Sequence, residues 1–301
     1  GKQYLFPVSF NLPVLIFSSA IFTGDGEPLS SPLIIGFDEI KARGKNYNLE
    51  KNGVYTRMGF SPSWNDQFLF TAASIFGASF REDSPAAWDA AALKSAMRYL
   101  DDWIRETNTG ISAEEDFAFK YFFEPQAQLV ISGRILFAFM DSASFFTLAE
   151  ERRSLLDFRW ISQNGVIPLV EDTVYYGICK KGRAKKAANA FTRWFFQAGT
   201  QQDFLEKNRN DRLIETSFGI AGGFSALRTV TEQVFPRFYP GLMNHMPPED
   251  HLLPPNILPG NWIALKEQVI LPYLRERVRR GENETRPLER RISDWSRLNR
   301  E

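Results

Sequence analysis

The fold is decided by residues 4–23, YLFPVSFNLPVLIFSSAIFT, near the start of a 301-residue chain. This stretch carries no charged residue and is long enough to span a bilayer. Pro7 and Pro13 interrupt it, however, and Ser9 and Asn11 would leave polar groups in lipid. Large apolar residues alternate loosely with small polar ones, as in strands that run through a core. The stretch therefore predicts buried extended chain rather than a membrane-spanning helix.

The composition excludes several classes of protein. The 36 basic and 36 acidic residues give a formal net charge of zero, so the chain lacks the positive charge that nucleic-acid binding requires. Cys179 is the single cysteine, which rules out an internal disulfide, a CxxC redox pair and a cysteine-built zinc site. His245 and His251 are six residues apart, a spacing that does not place two imidazoles on one face of a helix. We therefore expect no nucleic acid, no metal and no cofactor.

Beyond residue 80 the pattern changes between helix and strand. Ser84 as N-cap and Pro85 at the first helical position predict an amphipathic helix that runs to Gly110. Alternating apolar positions over residues 129–139 predict a buried strand that ends at Asp141. Strands and helices that follow one another in this way favour an α/β architecture.

The C-terminal part of the chain predicts mainly helix. One helix occupies residues 187–198 and ends at Gly199. A longer helix begins after Asn261 as its N-cap and ends at Gly281, with an interruption at Pro272.

No motif of a known catalytic or nucleotide-binding type is present. Residues 223–227, GFSAL, lack the final glycine of a nucleophile elbow, and residues 24–26, GDG, lack the third glycine of a dinucleotide fingerprint. Acid–base chemistry would therefore fall to carboxylates. The candidates are Asp66, Asp141, Glu171 and Asp172. Because the separation of two carboxylates is a three-dimensional quantity, a carbohydrate-active enzyme with paired carboxylates stays an open alternative.

The chain is rich in large aromatic residues, with 27 Phe, 9 Tyr and 7 Trp. Trp64 lies between small polar residues in the string SPSWN, and Trp262 follows residues 259–261, PGN, at a predicted helix start. An indole beside amides and hydroxyls suits a flat, hydroxylated ligand, because the ring covers the apolar face while the polar groups bind its rim. The alternative is that each indole packs in the core.

Several short strings occur in an order typical of one protein family. They are residues 4–11, YLFPVSFN, before an apolar strand; residues 37–40, FDEI, at a helix start; the strand that ends at Asp141; the helix at residues 187–196 with residues 201–205 after it; and the helix that opens at Trp262. In this order they resemble the extracytoplasmic solute-binding proteins of ABC importers, in the branch that includes maltose-binding protein and other carbohydrate binders. The resemblance covers nearly the whole chain.

The resemblance implies an α/β fold of the two-lobe, periplasmic-binding-protein-like type II class, in which hinge strands cross between the lobes and a ligand closes the cleft. Residues 1–11 and 172–217 would belong to the N-terminal lobe, and residues 12–171 and 218–301 would form the C-terminal lobe. Family members have a substantial α/β segment before the first hinge crossing, whereas this chain begins almost at that crossing. We therefore expect the N-terminal lobe to be incomplete in this chain.

The resemblance also implies a ligand site in the cleft. Asn11 would bind a ligand hydroxyl at the hinge, and the two indoles would stack on the ligand. The expected ligand-binding residues are Asn11, Trp64, Asn65, Ser142, Ser144, Phe218 and Trp262. At Ala143, between Ser142 and Ser144, the maltose binder has a tryptophan, so the resemblance leaves room for a solute other than a maltodextrin.

These expectations combine into one hypothesis of function. The chain would be a monomeric, non-enzymatic binding protein that holds a sugar-like solute and delivers it to the permease subunits of an ABC importer. It would act outside the cytoplasmic membrane, in the periplasm or on the outer face of that membrane, and be lipid-anchored through an upstream segment. The alternatives are the carboxylate enzyme described above and a sensor or scaffold on the same fold.

Overall fold

The computed structural model describes residues 5–21 and 29–299. The strands are β1 (Phe6–Asn11), β2 (Pro13–Ser18), β3 (Ile34–Ile35), β4 (Leu49–Lys51), β5 (Val54–Arg57), β6 (Arg81–Glu82), β7 (Ala86–Ala87), β8 (Phe137–Asp141), β9 (Leu156–Ile161), β10 (Ile167–Pro168), β11 (Val170–Tyr176), β12 (Phe224–Ser225) and β13 (Leu252–Leu253). The α-helices are α1 (Phe37–Tyr47), α2 (Asp66–Ile75), α3 (Ala90–Asn108), α4 (Ile111–Tyr121), α5 (Gln126–Ile131), α6 (Ser142–Phe146), α7 (Glu150–Arg153), α8 (Lys185–Phe195), α9 (Ala198–Asn210), α10 (Phe235–Phe238), α11 (Trp262–Leu265), α12 (Leu271–Arg280) and α13 (Leu288–Leu298).

A four-stranded sheet in the order β3-β9-β2-β8 lies between two apolar clusters. β2 is antiparallel to β8 and β9, and β3 is parallel to β9. Every residue of β2 is buried. Leu15 and Phe17 belong to the apolar cluster beneath α1, α2, α3 and α12, whereas Val14 and Ile16 belong to the cluster on the other face. Because successive side chains of a strand point to opposite faces, one uncharged strand contributes to both cores.

A second, three-stranded sheet in the order β11-β1-β12 adjoins the first. β1 is antiparallel to both of its neighbours. Leu12 alone separates β1 from β2, so the chain passes directly from one sheet to the other. The prediction of buried extended chain is thus confirmed for β2, whereas β1 is extended but buried only at Val8, Ser9 and Asn11. Residues 4, 22 and 23 of that stretch lie outside the described part.

The helix predicted from Ser84 begins later than expected. Residues 81–87 form the short hairpin β6–β7, and α3 starts at Ala90. Asp89 is its N-cap, because the Asp89 side chain accepts a hydrogen bond of 2.9 Å from the Ala92 N–H. The predicted helical face is present, but the start was wrong, because proline at a first helical position and proline in a turn look alike in sequence.

The strand predicted over residues 129–139 is half helix. α5 occupies the first part, and the strand β8 begins at Phe137. Gly133 adopts a φ of +69° in the turn between them, a conformation that glycine accepts without strain. A short apolar run does not distinguish a buried helix from a buried strand, which explains the error.

The helix predicted after Asn261 is present, but its interruption is a π-helical segment rather than a break. α11 and α12 are joined by a π-helical segment, Lys266–Ile270, and the chain stays helical through Pro272 as far as Arg280. A wider π turn accommodates the proline ring, which would otherwise collide with the carbonyl four residues earlier. The side chain of Asn261 makes no capping hydrogen bond, contrary to the prediction. Among the described residues, no helix is long and apolar enough to cross a membrane.

A close backbone contact joins α1 to the segment that follows β5. A Cβ atom added at Gly59 would lie 2.2 Å from the Gly44 Cα and 2.3 Å from the Gly44 carbonyl oxygen. Gly59→Ala must therefore push α1 away from the core, and we expect a loss of about 1–3 kcal/mol in the free energy of unfolding. Urea denaturation measures this loss. The matched control is Gly199→Ala in α9, where no atom lies within 4 Å of the added Cβ; a gain of up to ~1 kcal/mol is expected there, and an equal loss in both variants would contradict the contact.

Candidate functional site

Trp64 lies in the loop that leads into α2, and the loop is fixed by two caps. Ser61 Oγ accepts a hydrogen bond of 3.1 Å from the Ser63 N–H, which caps the 3₁₀ turn Pro62–Trp64. Asn65 Oδ1 accepts a hydrogen bond of 2.9 Å from the Gln67 N–H and so caps α2. Serine and asparagine are favoured at such positions because their side-chain oxygens satisfy N–H groups that lack helical partners.

The Trp64 ring is partly buried against α4. It stacks on Phe117 with ring centroids 5.5 Å apart and an interplanar angle of 19°. Phe122 meets it edge-on at 4.9 Å. Its Nε1–H donates to the main-chain oxygen of Glu114 at 3.4 Å. These contacts fix the orientation of the indole, and its remaining surface borders a pocket.

The pocket beside Trp64 has a volume of about 500 Å³. Ser63, Asn65 and Gln67 line it with neutral hydrogen-bonding groups, and Ala118 and Phe122 add apolar surface. An aromatic ring surrounded by neutral polar groups is the kind of wall that binds a molecule with an apolar face and a hydroxylated rim.

Two ion pairs stand on the far side of the same pocket. Arg275 of α12 binds Asp66 at the start of α2, and its Nε lies 2.9 Å from Asp66 Oδ1. Arg279 Nε lies 2.9 Å from Glu115 Oε1 of α4. The hydrogen bond to Asp66 raises the pKa of Arg275 above its ordinary value. The four charges balance, so the pocket rim has no excess of either sign to attract a charged ligand.

Glu114 lies beneath the pocket and is completely buried. Its Oε2 accepts hydrogen bonds from the Ser61 and Ser63 hydroxyls, the latter at 2.5 Å. Its Oε1 accepts one of 2.6 Å from Asn108 Nδ2, at the end of α3. Burial raises the pKa of Glu114 to about 7, against the lowering effect of these donors. The carboxyl group therefore ties the Trp64 loop to α3 and α4.

Asn11 and Ser142 are placed together where β1 passes into β2. Asn11 Nδ2 donates to the Gly222 carbonyl oxygen at 2.9 Å, and the Ser142 hydroxyl donates to Asn11 Oδ1 at 2.8 Å. The Ser142 oxygen in turn accepts from the Leu12 N–H at 3.1 Å. Both side chains are buried. This crossing network, Asn11–Ser142–Gly222, joins the start of α6 to both strands at the crossing.

Ser144 and Phe218 have different surroundings. Ser144 is exposed, and its N–H and hydroxyl donate to Asp141 at 2.7 and 3.0 Å, which caps α6. Phe218 is buried and stacks on Phe146 with centroids 4.8 Å apart. Tyr239 meets Phe218 edge-on at 4.9 Å. Phe218 is therefore part of an aromatic core.

Trp262 is not brought together with Trp64. Only 4% of Trp262 is exposed, and it packs against Phe80 and Phe70 with centroids 5.6 and 6.1 Å apart. It lines a separate cavity of about 90 Å³, beside Asn256. Its Nε1–H has no hydrogen-bond partner in the described part of the chain. Burial leaves little of this ring for stacking on a ligand.

The carboxylates proposed for acid–base chemistry have other partners where their side chains are described. Asp66 binds Arg275, and Asp141 caps α6. The side chains of Glu171 and Asp172 lie outside the described part. No group of three or more His, Cys, Asp or Glu residues within residues 5–21 and 29–299 could hold a metal ion.

Sequence reasoning missed Glu114, Arg275 and Arg279. An acidic residue in the first turn of a helix ordinarily stabilises the helix dipole, so Glu114 looked unremarkable. One signal was present, because Glu114 precedes Phe117 by three and Tyr121 by seven residues and so shares their apolar face. The two arginines lie far from Trp64 in sequence, and only the packing of α12 against α2 brings them to the pocket.

No protein-family model matches the chain, and no curated protein matches it. Solved structures do match. The ABC substrate-binding protein Lmo0181 from Listeria monocytogenes in complex with cycloalternan has a TM-score of 0.59 and 14% identity, over 99% of this chain and 72% of that chain. The cyclic alpha-maltosyl-1,6-maltose binding protein from Arthrobacter globiformis has a TM-score of 0.56 and 16% identity, over 97% of this chain and 70% of that chain. UgpB from Mycobacterium tuberculosis in complex with glycerophosphocholine has a TM-score of 0.55 and 11% identity, over 99% of this chain and 70% of that chain.

These likenesses show the fold. The chain has the mixed α/β architecture of the type II periplasmic binding proteins, which confirms the predicted fold class. Part of each matched structure has no counterpart here, because the 301 residues cover 70–72% of these chains.

Glu114 predicts a pH dependence of stability. Its pKa in the folded chain is about 7, above the ordinary 4.5, so the folded state holds a proton that the unfolded state releases. The stabilisation is complete below pH 4.5 and is lost as pH rises through about 7, a change of ~3 kcal/mol. We expect Glu114→Gln to remove this slope, measured by urea denaturation from pH 5 to 8. Asp116→Asn, at an exposed position on the same helix, is the control, and a slope equal to wild type in Glu114→Gln would contradict the assignment.

Proposed function

We propose that the chain is the extracytoplasmic substrate-binding component of an ABC importer, and that it binds a sugar or similar polyhydroxylated solute without covalent chemistry. The observation that carries this proposal is the half-buried Trp64 ring in a pocket that also presents neutral hydrogen-bonding groups and two ion pairs. The shared fold supports it, because the matched structures include proteins in complex with cycloalternan and with glycerophosphocholine.

In this proposal Trp64 covers the apolar face of the solute and the polar groups beside it bind the rim. Asn65 uses Oδ1 to cap α2, so its amide nitrogen is the atom available to a ligand hydroxyl. Ser63 and Gln67 add a hydroxyl and an amide at the same wall. The balanced ion pairs favour a neutral solute over an ionic one, since an ionic ligand would meet no unpaired opposite charge.

The other predicted site residues have supporting roles in this proposal. Asn11 and Ser142 stabilise the crossing between the two sheets, because both side chains hydrogen-bond to other groups of the protein there. Ser144 is the exposed hydroxyl at the same end of β8, and we keep it as a candidate contact. Phe218 and Trp262 stabilise the walls from inside the core.

We also propose the division into lobes, with residues 1–11 and 172–217 in one lobe and residues 12–171 and 218–301 in the other. The smaller part is thinly packed within the described chain. α8 has no buried residue, and its Phe191 and Trp194 are 44% and 47% exposed. β11 lies at the edge of its sheet. Exposed aromatic residues on α8 and an open strand edge support the idea that further α/β structure completes this lobe.

The partners follow from the same proposal. The solute would be passed unchanged to the permease subunits of the importer, outside the cytoplasmic membrane, by a monomer that a lipid anchor holds there. An affinity of about micromolar, near −8 kcal/mol, is sufficient for non-covalent capture and release. Mass spectrometry of the small molecules released when the purified protein is denatured would identify the solute, and a hydrolysed product would favour an enzyme instead.

Removal of the Trp64 ring tests the proposed site. We expect Trp64→Ala to weaken binding of the co-purifying solute by roughly thirtyfold, equivalent to about 2 kcal/mol, because a stacked aromatic is a typical hot spot. Isothermal titration calorimetry measures the affinity. Trp295→Ala is the matched control, because it removes an indole that does not line this pocket, and it should leave the affinity unchanged. Equal affinities in all three proteins would remove Trp64 from the site.

Hydrogen exchange tests the division into lobes. We expect the amides of α8 to exchange at least about a hundredfold faster than those of α3, because α8 buries no side chain and opens in a smaller cooperative unit. Native-state exchange followed by mass spectrometry measures both helices in one sample. α9 buries Thr200, Gln201 and Leu205 and should lie between them. Equal protection in the three helices would indicate a single cooperative body.

A further inference from the structure

Glu114 belongs to the wall of the Trp64 pocket, yet ligand stacking does not explain its burial. A carboxyl group without solvent contact ordinarily has a cation beside it, because a lone buried charge is strongly unfavourable. Here every donor to Glu114 is neutral: the hydroxyls of Ser61 and Ser63 and the amide of Asn108. A neutral cage of this kind can hold the group in either protonation state.

The charged groups around Glu114 are already paired with one another. On its own helix, Glu115 binds Arg279 of α12. At the start of α2, Asp66 binds Arg275, also of α12. The end of α3 offers only the Asn108 amide. Among the described residues, Glu115 is the one charged neighbour that acts on Glu114, and it favours the protonated form.

The two protonation states use the Ser63 hydroxyl differently. When Glu114 is ionised, Ser63 donates its hydroxyl hydrogen to Oε2 over 2.5 Å. When Oε2 carries a proton taken from solvent, that O–H can donate to the Ser63 oxygen instead, so the Ser63 hydrogen is released. Ser61 is sealed from solvent, whereas Ser63 is partly exposed and lines the pocket. Ser61 Oγ lies 2.9 Å from Ser63 Oγ and can accept this hydrogen, and an acceptor on a solute in the pocket competes with it.

We expect the Trp64 indole to respond to the same change, because it contacts the helix that carries Glu114. The indole N–H donates to the Glu114 main-chain oxygen, and the ring stacks on Phe117 one turn later. The loop that carries Trp64 is held by the two serines that bind the Glu114 carboxyl. A change of charge at this carboxyl acts on the indole from both sides.

Building on the proposed ligand role of Trp64, we propose that Glu114 is a positioning residue whose protonation frees the Ser63 hydroxyl for the solute and so couples proton uptake to solute binding. The solute class that benefits is one with a hydrogen-bond acceptor next to its apolar face, such as a neutral sugar. Binding is expected to be tighter below neutral pH than above it.

Intrinsic fluorescence tests the coupling without a ligand. The difference in emission between wild type and Trp64→Phe isolates Trp64, and we expect this difference to change with a midpoint near neutral pH between pH 5.5 and 8.5. Glu114→Gln should abolish the transition, and Asp116→Asn, at an exposed position on the same helix, should retain it. A flat difference signal in wild type, or a transition that persists in Glu114→Gln, would overturn the proposal.

Ser63→Ala provides a second variant that keeps the carboxyl group. It removes one donor that stabilises the ionised form, so the midpoint of the Trp64 transition should move to higher pH. An unchanged midpoint would show that Ser63 does not share the proton with Glu114. This outcome would overturn the proposed role of its hydroxyl.

Binding of a defined probe completes the test. With mannotriose as the probe, we expect calorimetry to give an affinity about fivefold higher at pH 6 than at pH 8, the effect of one additional hydrogen bond. Ser63→Ala and Glu114→Gln should lose this ratio. If mannotriose does not bind while the fluorescence transition is present, the proposed binding of this sugar class fails and only the proton-dependent change at Trp64 stands. If it binds with equal affinity at both pH values, the coupling fails and the proposed function stands.

Discussion

The burial of β2 on both faces is the constraint on which the rest of the structure depends. Val14 and Ile16 contribute to one apolar cluster, while Leu15 and Phe17 contribute to the other. A charged or strongly polar residue at any of these positions would face a core, since the side-chain period of a strand leaves no solvent side here. Both apolar clusters therefore share one uncharged strand, and the elements that build the site contribute residues to these two clusters.

The candidate site is a consequence of that layering. α2 packs on the sheet through Phe68, whose ring meets Phe139 of β8 at 5.5 Å. The N-terminus of α2 then carries the Trp64 loop to the edge of the layer, and α4 covers one face of the indole. Because α12 packs along α2, its arginines complete the pocket opposite Trp64. The same packing that fixes the fold thus leaves part of the Trp64 ring and a set of polar groups at the pocket.

The sequence was sufficient for the elements that local chemistry determines. The strand pair β1–β2 followed from uncharged alternation with proline punctuation, and the α/β class followed from the order of elements. The start of α3 did not follow, because Ser84–Pro85 and Asp89 are both acceptable helix starts by local rules. Tertiary packing chose Asp89, and no local signal records that choice.

Local sequence also does not distinguish the surroundings of the two tryptophans. Trp64 and Trp262 both precede or begin a helix beside small polar residues, so sequence gives them equal standing. What differs is the set of contacts made from elsewhere in the chain: Phe117 and Phe122 leave Trp64 partly exposed, whereas Trp262 is buried beside Phe70 and Phe80. Glu114 shows the converse, since an ordinary first-turn acid becomes a buried proton acceptor once Ser61 and Asn108 close over it. A residue's chemistry at this site is therefore set by the long-range contacts that decide its exposure, and residue type alone specifies only which chemistries remain possible.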